Sequence, residues 1–215
     1  MLTVWGRADS SATARVMWTL AETGLAHRRR DWGGAFGGGD DPAFRELSPH
    51  GRIPAITRDD GFNLWESNTI IRWLATICPE AGLWPADEAA RWQAEAWMDW
   101  SAAPGRAMGP LRTAYRRLAP DPAEISRTIA TATETFAVLD ARLTDRAFVM
   151  GDQFTVADLA LGVVAHRWFR IPEALERPDL AALKAWHQRL CARPAYQEHV
   201  VAKVSARAQT LGMGD

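Results

Sequence analysis

Cysteine and tyrosine are scarce in this chain of 215 residues. Its two cysteines, Cys78 and Cys191, lie far apart and match no CxxC or zinc-binding pattern. This argues against a dithiol redox centre and a metal site, and it is typical of a reducing compartment. We interpret both as buried core residues, with a reactive thiol as the alternative. The two tyrosines, Tyr115 and Tyr196, both lie in the second half of the chain.

Charge of one sign and long apolar segments are also lacking. The formal net charge is −1, which gives no reason to expect a nucleic acid or an anionic membrane as partner. Residues 1–16 contain no continuous apolar segment, and no window approaches the length of a transmembrane helix. The composition, 47% hydrophobic and 24% charged, is typical of a soluble globular protein. We therefore expect a cytoplasmic protein.

The N-terminal part of the chain alternates strand and helix patterns in the order β, α, β, α, β, β, α. The predicted elements are Leu2–Gly6, Thr13–Gly24, His27–Trp32, Pro42–Leu47, Ala55–Arg58, Phe62–Leu64 and a helix that follows Leu64. The run GGAFGGG at residues 33–39 resembles a phosphate loop, but no GK[ST] follows and no helix begins there. We predict a flexible connection at this run.

The rest of the chain has the pattern of helices, with a change of composition near residues 78–87. We therefore predict two domains, residues 1–78 (α/β) and residues 88–215 (all-α). The predicted helices of the second are Ala89–Tyr115, interrupted or bent around residues 104–110, then Pro122–Leu143, Thr155–Phe169, Leu180–Cys191 and Pro194–Ala208. The tryptophans of the first of these helices are expected in the core or at the domain contact; they are Trp92, Trp97 and Trp100.

The segment LWESNTIIRWLA, residues 64–75, predicts a strand that leads directly into a helix. Glu66, Ser67 and Asn68 occupy the first turn, where a carboxylate, a hydroxyl and unpaired backbone N–H groups meet. This combination suits the ammonium and carboxylate of an α-amino acid. The alternative is that Ser67 or Glu66 merely caps the helix.

The segment SPHGRIPAI, residues 48–56, places Pro54 at the first position of a strand. A cis Ile53–Pro54 bond would turn the main chain of Ile53 outward, where it could pair with an extended peptide. An ordinary trans proline is the alternative. His50 and Arg52 could bind a terminal carboxylate or be merely exposed.

The segment WGRADSSATAR, residues 5–15, turns from the first strand into the first helix, and we expect it at the other end of the same sheet. Ser10 and Ser11 precede that helix, where a hydroxyl either caps the helix or donates to a bound ligand. If the ligand is a thiol, this hydrogen bond and the helix dipole favour the thiolate. A thiol pKa lowered from about 8.5 to about 6.5 would raise the ionised fraction at neutral pH from roughly 3% to roughly three quarters.

These three segments together suit a small peptide with an amino-acid head group, a main chain that pairs with a strand edge, a free carboxylate and a thiol. Glutathione has all four. The chain resembles the cytosolic glutathione S-transferases, and in particular bacterial, serine-dependent members of the theta/zeta-like kind. The matching motifs follow the family's order and spacing; they are GRADSSATARVMW, FRELSPHGRIPAI, LWESNTIIRWLA, DQFTVADLAL and RPAY.

The resemblance implies a thioredoxin-like N-terminal domain, an all-α C-terminal bundle and a homodimer with a site on each subunit. It implies that Glu66 and Ser67 hold the γ-glutamyl group and that Ile53–Pro54 binds the cysteinyl backbone. It assigns Arg52 and His50 to the glycine carboxylate. Thr155 and Asp158 match a helix-capping motif that serves folding in this family.

The family places the activating hydroxyl five or four residues before the basic residue that Arg15 matches, so Ser10 and Ser11 are both candidates. No tyrosine or cysteine lies near position 10, which argues against the tyrosine and cysteine versions of the mechanism. Asp9 departs from close bacterial relatives, which often carry asparagine there. A carboxylate so near would oppose thiolate formation.

The resemblance places a small electrophile between the domains, against the first long helix of the second. There Met108, Leu111, Arg112 and Tyr115 share one face at helical spacing and could form an apolar wall with a polar tip. Core packing explains the same pattern equally well.

The leading functional prediction is conjugation of the glutathione thiolate to a small hydrophobic electrophile. The first alternative is glutathione-dependent reduction of peroxides or disulfides, and the second is a glutathione-binding regulatory module without turnover. Neither a nucleic acid nor a membrane is expected as partner.

Overall fold

The computed structural model of the chain describes residues 1–114, 121–171, 175 and 177–204. The N-terminal elements are β1 (Leu2–Trp5), α1 (Ser11–Thr23), β2 (His27–Arg30), α2 (Pro42–Leu47), β3 (Ala55–Arg58), β4 (Asn63–Trp65) and α3 (Ser67–Ile77). Their order is the predicted one. A 3₁₀ turn, Gly34–Phe36, lies within the glycine run.

The four strands form one mixed sheet in the order β2-β1-β3-β4. β1 is parallel to β2 and antiparallel to β3, and β3 is antiparallel to β4. In this register Trp5, at the end of β1, lies opposite Ala55 at the start of β3, which in turn lies opposite Trp65 at the end of β4. The loop that follows β1, the segment that precedes β3 and the connection that follows β4 therefore meet at one end of the sheet.

Helix α1 packs against α3 on one side and against helices of the C-terminal half on the other. Its Trp18 is fully buried and lies 4.7 Å from the Tyr196 ring and 5.4 Å from the Phe154 ring, between centroids. Farther along, Glu22 accepts two hydrogen bonds from Arg193, at 2.8 and 2.6 Å. The first helix therefore belongs to the cores of both halves.

The C-terminal half consists of helices. Their bounds are α4 (Glu88–Trp100), α5 (Ala102–Ala107), α6 (Gly109–Ala114), α7 (Pro122–Leu143), α8 (Val156–Phe169), α9 (Ala181–Cys191) and α10 (Pro194–Tyr196), and a π-helical turn, Gln197–Val201, follows α10. No helix in the described part of the chain is long and apolar enough to cross a membrane.

The predicted helix Ala89–Tyr115, expected to be interrupted or bent around residues 104–110, is three helices with breaks at Ser101 and Met108. Pro104 cannot donate to the carbonyl four residues earlier, that of Trp100, and Pro110 cannot donate to that of Arg106. The two prolines thus explain both breaks. The end of this predicted helix, at Tyr115, lies outside the described residues.

The tryptophans of α4 differ from one another in burial. Trp97 and Trp100 are partly buried and in edge-to-face contact, with ring centroids 5.3 Å apart. Trp92 is 67% exposed, so the prediction that it lies in the core or at the domain contact is wrong. A helical pattern does not say which of three tryptophans faces inward when each is large and apolar.

The capping motif at the start of α8 is present, and Asp158 does more than the motif requires. Its carboxylate accepts from the backbone N–H groups of Thr155, at 2.9 Å, and Val149, at 3.0 Å. It also accepts from Nε1 of Trp186 at 2.8 Å. Burial nevertheless raises the pKa of Asp158 to about 6. This carboxylate joins the helix start to the preceding loop and to α9.

Candidate active site

All three sequence segments meet at the same end of the sheet. The loop after β1 leads to Ser10, the segment before β3 contains Ile53–Pro54, and β4 leads into Ser67. The expectation that the Ser10 loop lies at the other end is wrong. Because β1 and β3 are antiparallel, the end of β1 lies beside the start of β3.

Ser10 is the N-cap residue of α1. Its Oγ accepts a long hydrogen bond of 3.4 Å from the backbone N–H of Thr13, and the residue is 7% exposed. Within the described residues this hydroxyl donates to no protein acceptor, so its hydrogen remains available to a ligand. Ser10 lines a cavity of about 800 Å³, whereas Ser11, the first residue of the helix, does not.

Arg7 and Asp9 form an ion pair in the same loop, with Nε of Arg7 3.0 Å from Oδ1 of Asp9. The backbone N–H of Arg7 donates to the carbonyl of Trp32 at 3.1 Å, which fixes the start of the loop. A guanidinium therefore accompanies the carboxylate that the sequence places beside Ser10. The pairing offsets part of the negative charge near a bound thiol.

The Ile53–Pro54 peptide bond is cis, not trans; the sequence alone leaves both possibilities open. The neighbouring His50 accepts a hydrogen bond from the backbone N–H of Arg52 at its Nδ1, at 3.0 Å. Nδ1 is therefore unprotonated and Nε2 carries the hydrogen, which points to Oε1 of Glu66 at 3.0 Å. Ser48 completes the turn by donating to the carbonyl of Arg52 at 2.8 Å.

Glu66 connects β4 to α3 in an uncommon backbone conformation, with φ +67° and ψ 117°. Positive φ costs a residue with a side chain free energy and is found most often where function requires it. The conformation presents the Glu66 carboxylate, 57% exposed, beside the first turn of α3. It thus places an anion next to the unpaired N–H groups of that turn.

Ser67 is almost buried at 7% exposure, and its Oγ accepts from Nη1 of Arg15 at 3.1 Å. Nη1 also donates to Oδ1 of Asn68 at 2.6 Å, and Nη2 donates to the carbonyl of Ala160 at 2.7 Å. Desolvation lowers the pKa of Arg15 to about 10, so it remains positively charged at neutral pH. The sequence reading assigned no role to Arg15, because its partners are more than fifty residues away along the chain.

The glycine run at residues 33–39 connects β2 to α2, as predicted, and also forms one wall of the cavity. The N–H of Gly33 donates to the carbonyl of Gly37 at 2.8 Å, which closes the loop on itself. Gly39 approaches Gly51 so closely that a Cβ on Gly51 would lie 2.2 Å from the Gly39 carbonyl oxygen. A run of glycines facing a further glycine is a signal that could have predicted this backbone contact.

The residues predicted to face an electrophile are described only in part. Met108 is 9% exposed and Leu111 is 2% exposed, and both belong to the apolar core, so they present little surface to a ligand. The Arg112 side chain and Tyr115 lie outside the described residues. Helical spacing alone does not separate a core face from a ligand-facing wall.

Neither cysteine has the surroundings of a reactive thiol. Cys78 is buried and Cys191 is partly buried, and desolvation raises the pKa of both. Among the described residues, no cluster of three or more histidine, cysteine or acidic side chains could hold a metal ion.

Comparison with known proteins identifies the fold. Residues 9–77 match the family model for the N-terminal domain of glutathione S-transferase, and residues 107–194 match that for its C-terminal domain. The chain belongs to the glutathione S-transferase family. Its thioredoxin-like sheet domain and helical C-terminal domain are the glutathione transferase fold that the sequence predicts.

Two relatives among those found cover nearly the whole chain. Glutathione S-transferase GstB of Escherichia coli K12 is 34% identical over 213 residues, 95% of this chain and 100% of its own. The crystal structure of the theta class glutathione S-transferase from Xanthomonas axonopodis pv. citri with glutathione bound superposes with a TM-score of 0.85 at 36% identity, over 94% of this chain and 98% of that one.

A third relative carries a different activity in its name. The disulfide-bond oxidoreductase YfcG of Escherichia coli K12 is 30% identical over 174 residues, which are 74% of this chain and 76% of its own. The family therefore includes proteins named for thiol transfer and proteins named for disulfide chemistry.

Proposed function

We propose that this glutathione S-transferase binds reduced glutathione at the common end of β1, β3 and β4 and conjugates its thiolate to a small apolar electrophile. The observation that carries the proposal is the convergence of Ser10, Ile53–Pro54 and Ser67, each of which offers the group that one part of glutathione requires. The glutathione bound to the Xanthomonas relative supports it.

Glutathione lies along this edge with its γ-glutamyl group at the N-terminus of α3. Ser67 donates to the α-carboxylate, and Glu66 attracts the ammonium group. The cysteinyl backbone pairs with that of Ile53. Arg52 binds the glycine carboxylate, since its guanidinium has no hydrogen bond or ion pair within the described residues. His50, with both ring nitrogens engaged, contributes by holding this segment in place.

Ser10 is the activating residue in this proposal, and Ser11 is not. Ser10 lines the cavity and has a hydroxyl hydrogen free to donate to the sulfur. The hydrogen bond and the N-terminus of α1 stabilise the thiolate, which then attacks the electrophilic carbon. The thiolate forms the new carbon–sulfur bond, and the leaving group departs with the electron pair of the bond that breaks.

The binding site is tested by calorimetric titration of reduced glutathione into the protein and into Ser67→Ala. We expect saturable binding that Ser67→Ala weakens by about 1 to 3 kcal/mol, because a hydrogen bond to a charged group is lost. Absence of binding at millimolar glutathione would contradict the proposal, whereas binding without turnover would favour the regulatory module.

The serine assignment is tested separately by turnover. Ser10→Ala should lower kcat, leave glutathione affinity nearly intact and raise the apparent pKa in the pH dependence of the rate. Ser11→Ala is the matched control and should leave that pKa in place. A shift with Ser11→Ala alone would transfer the role to Ser11.

Glutathione-dependent reduction of disulfides is the second candidate function, and the name of the relative YfcG favours it. In that reaction the same thiolate attacks one sulfur of the substrate disulfide, which breaks the S–S bond, releases one thiolate and leaves a mixed disulfide with glutathione. A second glutathione thiolate attacks the glutathione sulfur of that mixed disulfide, releases the other thiolate and yields glutathione disulfide. Product analysis separates the two functions, because conjugation yields a thioether and reduction yields glutathione disulfide.

The electrophile site belongs to the proposal as well. We place it beside the thiol, against the face that carries Met108, Leu111, Arg112 and Tyr115. Replacement of Met108, the less buried of the two described members of this face, by alanine should then alter KM for the electrophile more than KM for glutathione. An equal change in both would assign this face to core packing alone.

We further propose a cytoplasmic homodimer that detoxifies electrophiles, built from domains at residues 1–78 and 88–215. The exposure of two tryptophans supports the dimer: Trp92 is 67% exposed and Trp65 is 38% exposed. Large exposed aromatic side chains are enriched at interfaces. Light scattering should give the mass of a dimer, and Trp92→Glu should reduce it to that of a monomer.

A further inference from the structure

Arg15 is a cation whose hydrogen-bond partners among the described residues are all neutral groups. Its guanidinium donates to Ser67 Oγ, Asn68 Oδ1 and the Ala160 carbonyl, and it forms no ion pair within the described residues. Its Nε is buried and has no hydrogen-bond partner. A guanidinium taken from water in this way normally requires a carboxylate nearby.

Glu66, the acidic side chain whose charge acts on Arg15, contacts another partner. The carboxylate of Glu66 contacts Nε2 of His50 at 3.0 Å and is 57% exposed to solvent. Desolvation lowers the pKa of Arg15 to about 10, and only the attraction of Glu66 opposes that effect. Arg15 therefore provides a positive charge without a bound counter-ion directly behind the first turn of α3.

Arg15 also fixes the direction of the Ser67 hydroxyl. Because Oγ of Ser67 accepts from Nη1 of Arg15, the hydroxyl hydrogen must point away from the guanidinium. A hydroxyl that accepts from a cation is in turn a stronger donor. An oxyanion at this turn would meet a polarised donor and a positive charge together.

Asn68 holds this arrangement rigid. Its Oδ1 accepts from Arg15, while its Nδ2 donates to the Met98 carbonyl at 2.8 Å and to Ser101 Oγ at 3.2 Å. The side-chain amide therefore cannot rotate without breaking bonds to α4. The guanidinium is held in place whether or not a ligand is present.

We propose that Arg15 is a positioning residue whose charge, acting through Ser67, makes the site selective for the α-carboxylate of the γ-glutamyl group. The inference rests on the proposed glutathione site and deepens it. It assigns the counter-ion that Arg15 lacks to the ligand itself.

The test compares two ligands by calorimetry. One is glutathione, and the other is 4-aminobutanoyl-cysteinyl-glycine, which lacks only the α-carboxylate and retains the amine, the thiol and the glycine carboxylate. In the unchanged protein, glutathione should bind about tenfold to a hundredfold more tightly. Arg15→Gln should remove most of that ratio, and Arg15→Lys, which keeps the charge, should retain a substantial part of it.

Arg52→Gln is the matched control, because both ligands carry the glycine carboxylate that Arg52 is proposed to bind. It should weaken both equally and leave the ratio unchanged. An Arg15→Gln variant that weakens both ligands equally would show a merely structural role and overturn the proposal. A ratio in Arg15→Lys as low as that in Arg15→Gln would likewise overturn the assignment to charge.

The unchanged protein provides a test that needs no folded variant. If it binds both ligands with equal affinity, the proposal about Arg15 is wrong while the glutathione site stands. If it binds neither ligand, the glutathione site itself is wrong. The two failures are therefore distinguishable in the first titration.

Discussion

Nε of Arg7 lies 3.0 Å from Oδ1 of Asp9, in the residue directly before Ser10. The sequence alone predicts that Asp9 opposes formation of a thiolate, since like charges disfavour each other. We expect the ion pair to reduce this opposition, because the guanidinium would attract the same thiolate that the carboxylate repels. The pair should then act on a bound thiol as a nearly neutral unit.

The contribution of this pair can be measured on bound glutathione. Arg7→Gln should raise the pKa of the bound thiol by about one unit, because Asp9 is then unpaired. Asp9→Asn should lower it or leave it unchanged, and the double variant should return it close to the original value. Ultraviolet absorbance of the thiolate against pH gives each value. An equal pKa in all four proteins would show that the pair is too far from the sulfur to matter.

Gly51 should tolerate no side chain. Gly51→Ala places a Cβ 2.2 Å from the Gly39 carbonyl oxygen, at a φ of +66°, and should lower the free energy of unfolding by about 2 to 4 kcal/mol and weaken glutathione binding. Gly82→Ala is the control, since Gly82 has a φ of +62° with nothing within 4 Å of the added Cβ. It should cost only about 1 kcal/mol and leave binding unchanged. Urea unfolding and calorimetry measure the two effects.

Asp158→Ala should be among the most destabilising single substitutions in the chain. It leaves the donors of Val149, Thr155 and Trp186 buried without an acceptor, which should cost about 3 to 5 kcal/mol. The exposed Asp152→Ala should change stability by no more than about 0.5 kcal/mol. Urea unfolding at pH 7 compares the two, and a similar small loss in both would refute the structural role of Asp158.

Two neighbouring histidines should make the protein less stable in mild acid. Nδ1 of His166 lies 3.3 Å from Nε2 of His187, and desolvation lowers their pKa values to about 3 and about 4. The unfolded chain binds these protons near pH 6.5 whereas the folded protein does not, so acidification below 6.5 favours unfolding. Each histidine should cost about 1.4 kcal/mol per pH unit between pH 6.5 and about 4.

Asp158 opposes this fall over part of the range. Its pKa of about 6 lies above the ordinary value of 3.8, so the folded state binds a proton there first and gains stability as pH falls from 6 toward 4. Urea unfolding at pH 7, 6 and 5 should therefore show that the free energy of unfolding falls as the pH is lowered. This fall should be steeper when Asp158 is replaced. His187→Phe keeps the ring contact with Phe169. It should reduce the slope of the free energy of unfolding against pH by the contribution of one proton, about 1.4 kcal/mol per pH unit. An unchanged slope in His187→Phe would contradict the assignment.

The bounds of some helices and strands could be predicted to the residue from the sequence, because residues next to them in the chain mark where they begin and end. The bounds of α2 and α7 are the predicted ones, because in each case an aspartate cap, Asp41 or Asp121, precedes a proline at the first helical position. The bounds of β3 are also as predicted. The positions of Ser10 and Ser67 at the starts of helices are similarly local.

Features that depend on pairing between distant segments were not predictable. The position of the Ser10 loop depends on whether β1 is parallel or antiparallel to β3, which no local pattern determines. The contacts of Arg15 with Ser67 and Asn68 span more than fifty residues. The difference in burial between Trp92 and Trp97 depends on how α4 packs against other helices such as α8. These are properties of packing, which residue type and periodicity specify only weakly.

Helix α1 begins at the residue after Ser10 and ends near Glu22, whose carboxylate accepts two hydrogen bonds from Arg193. Its 13 residues form a rod of roughly 20 Å whose far end and middle are embedded among C-terminal side chains. The hydroxyl of Ser10 therefore takes its position from residues near the opposite end of the sequence. The C-terminal half supports the helix that begins beside Ser10, so we expect substitutions in that half to shift this hydroxyl as well.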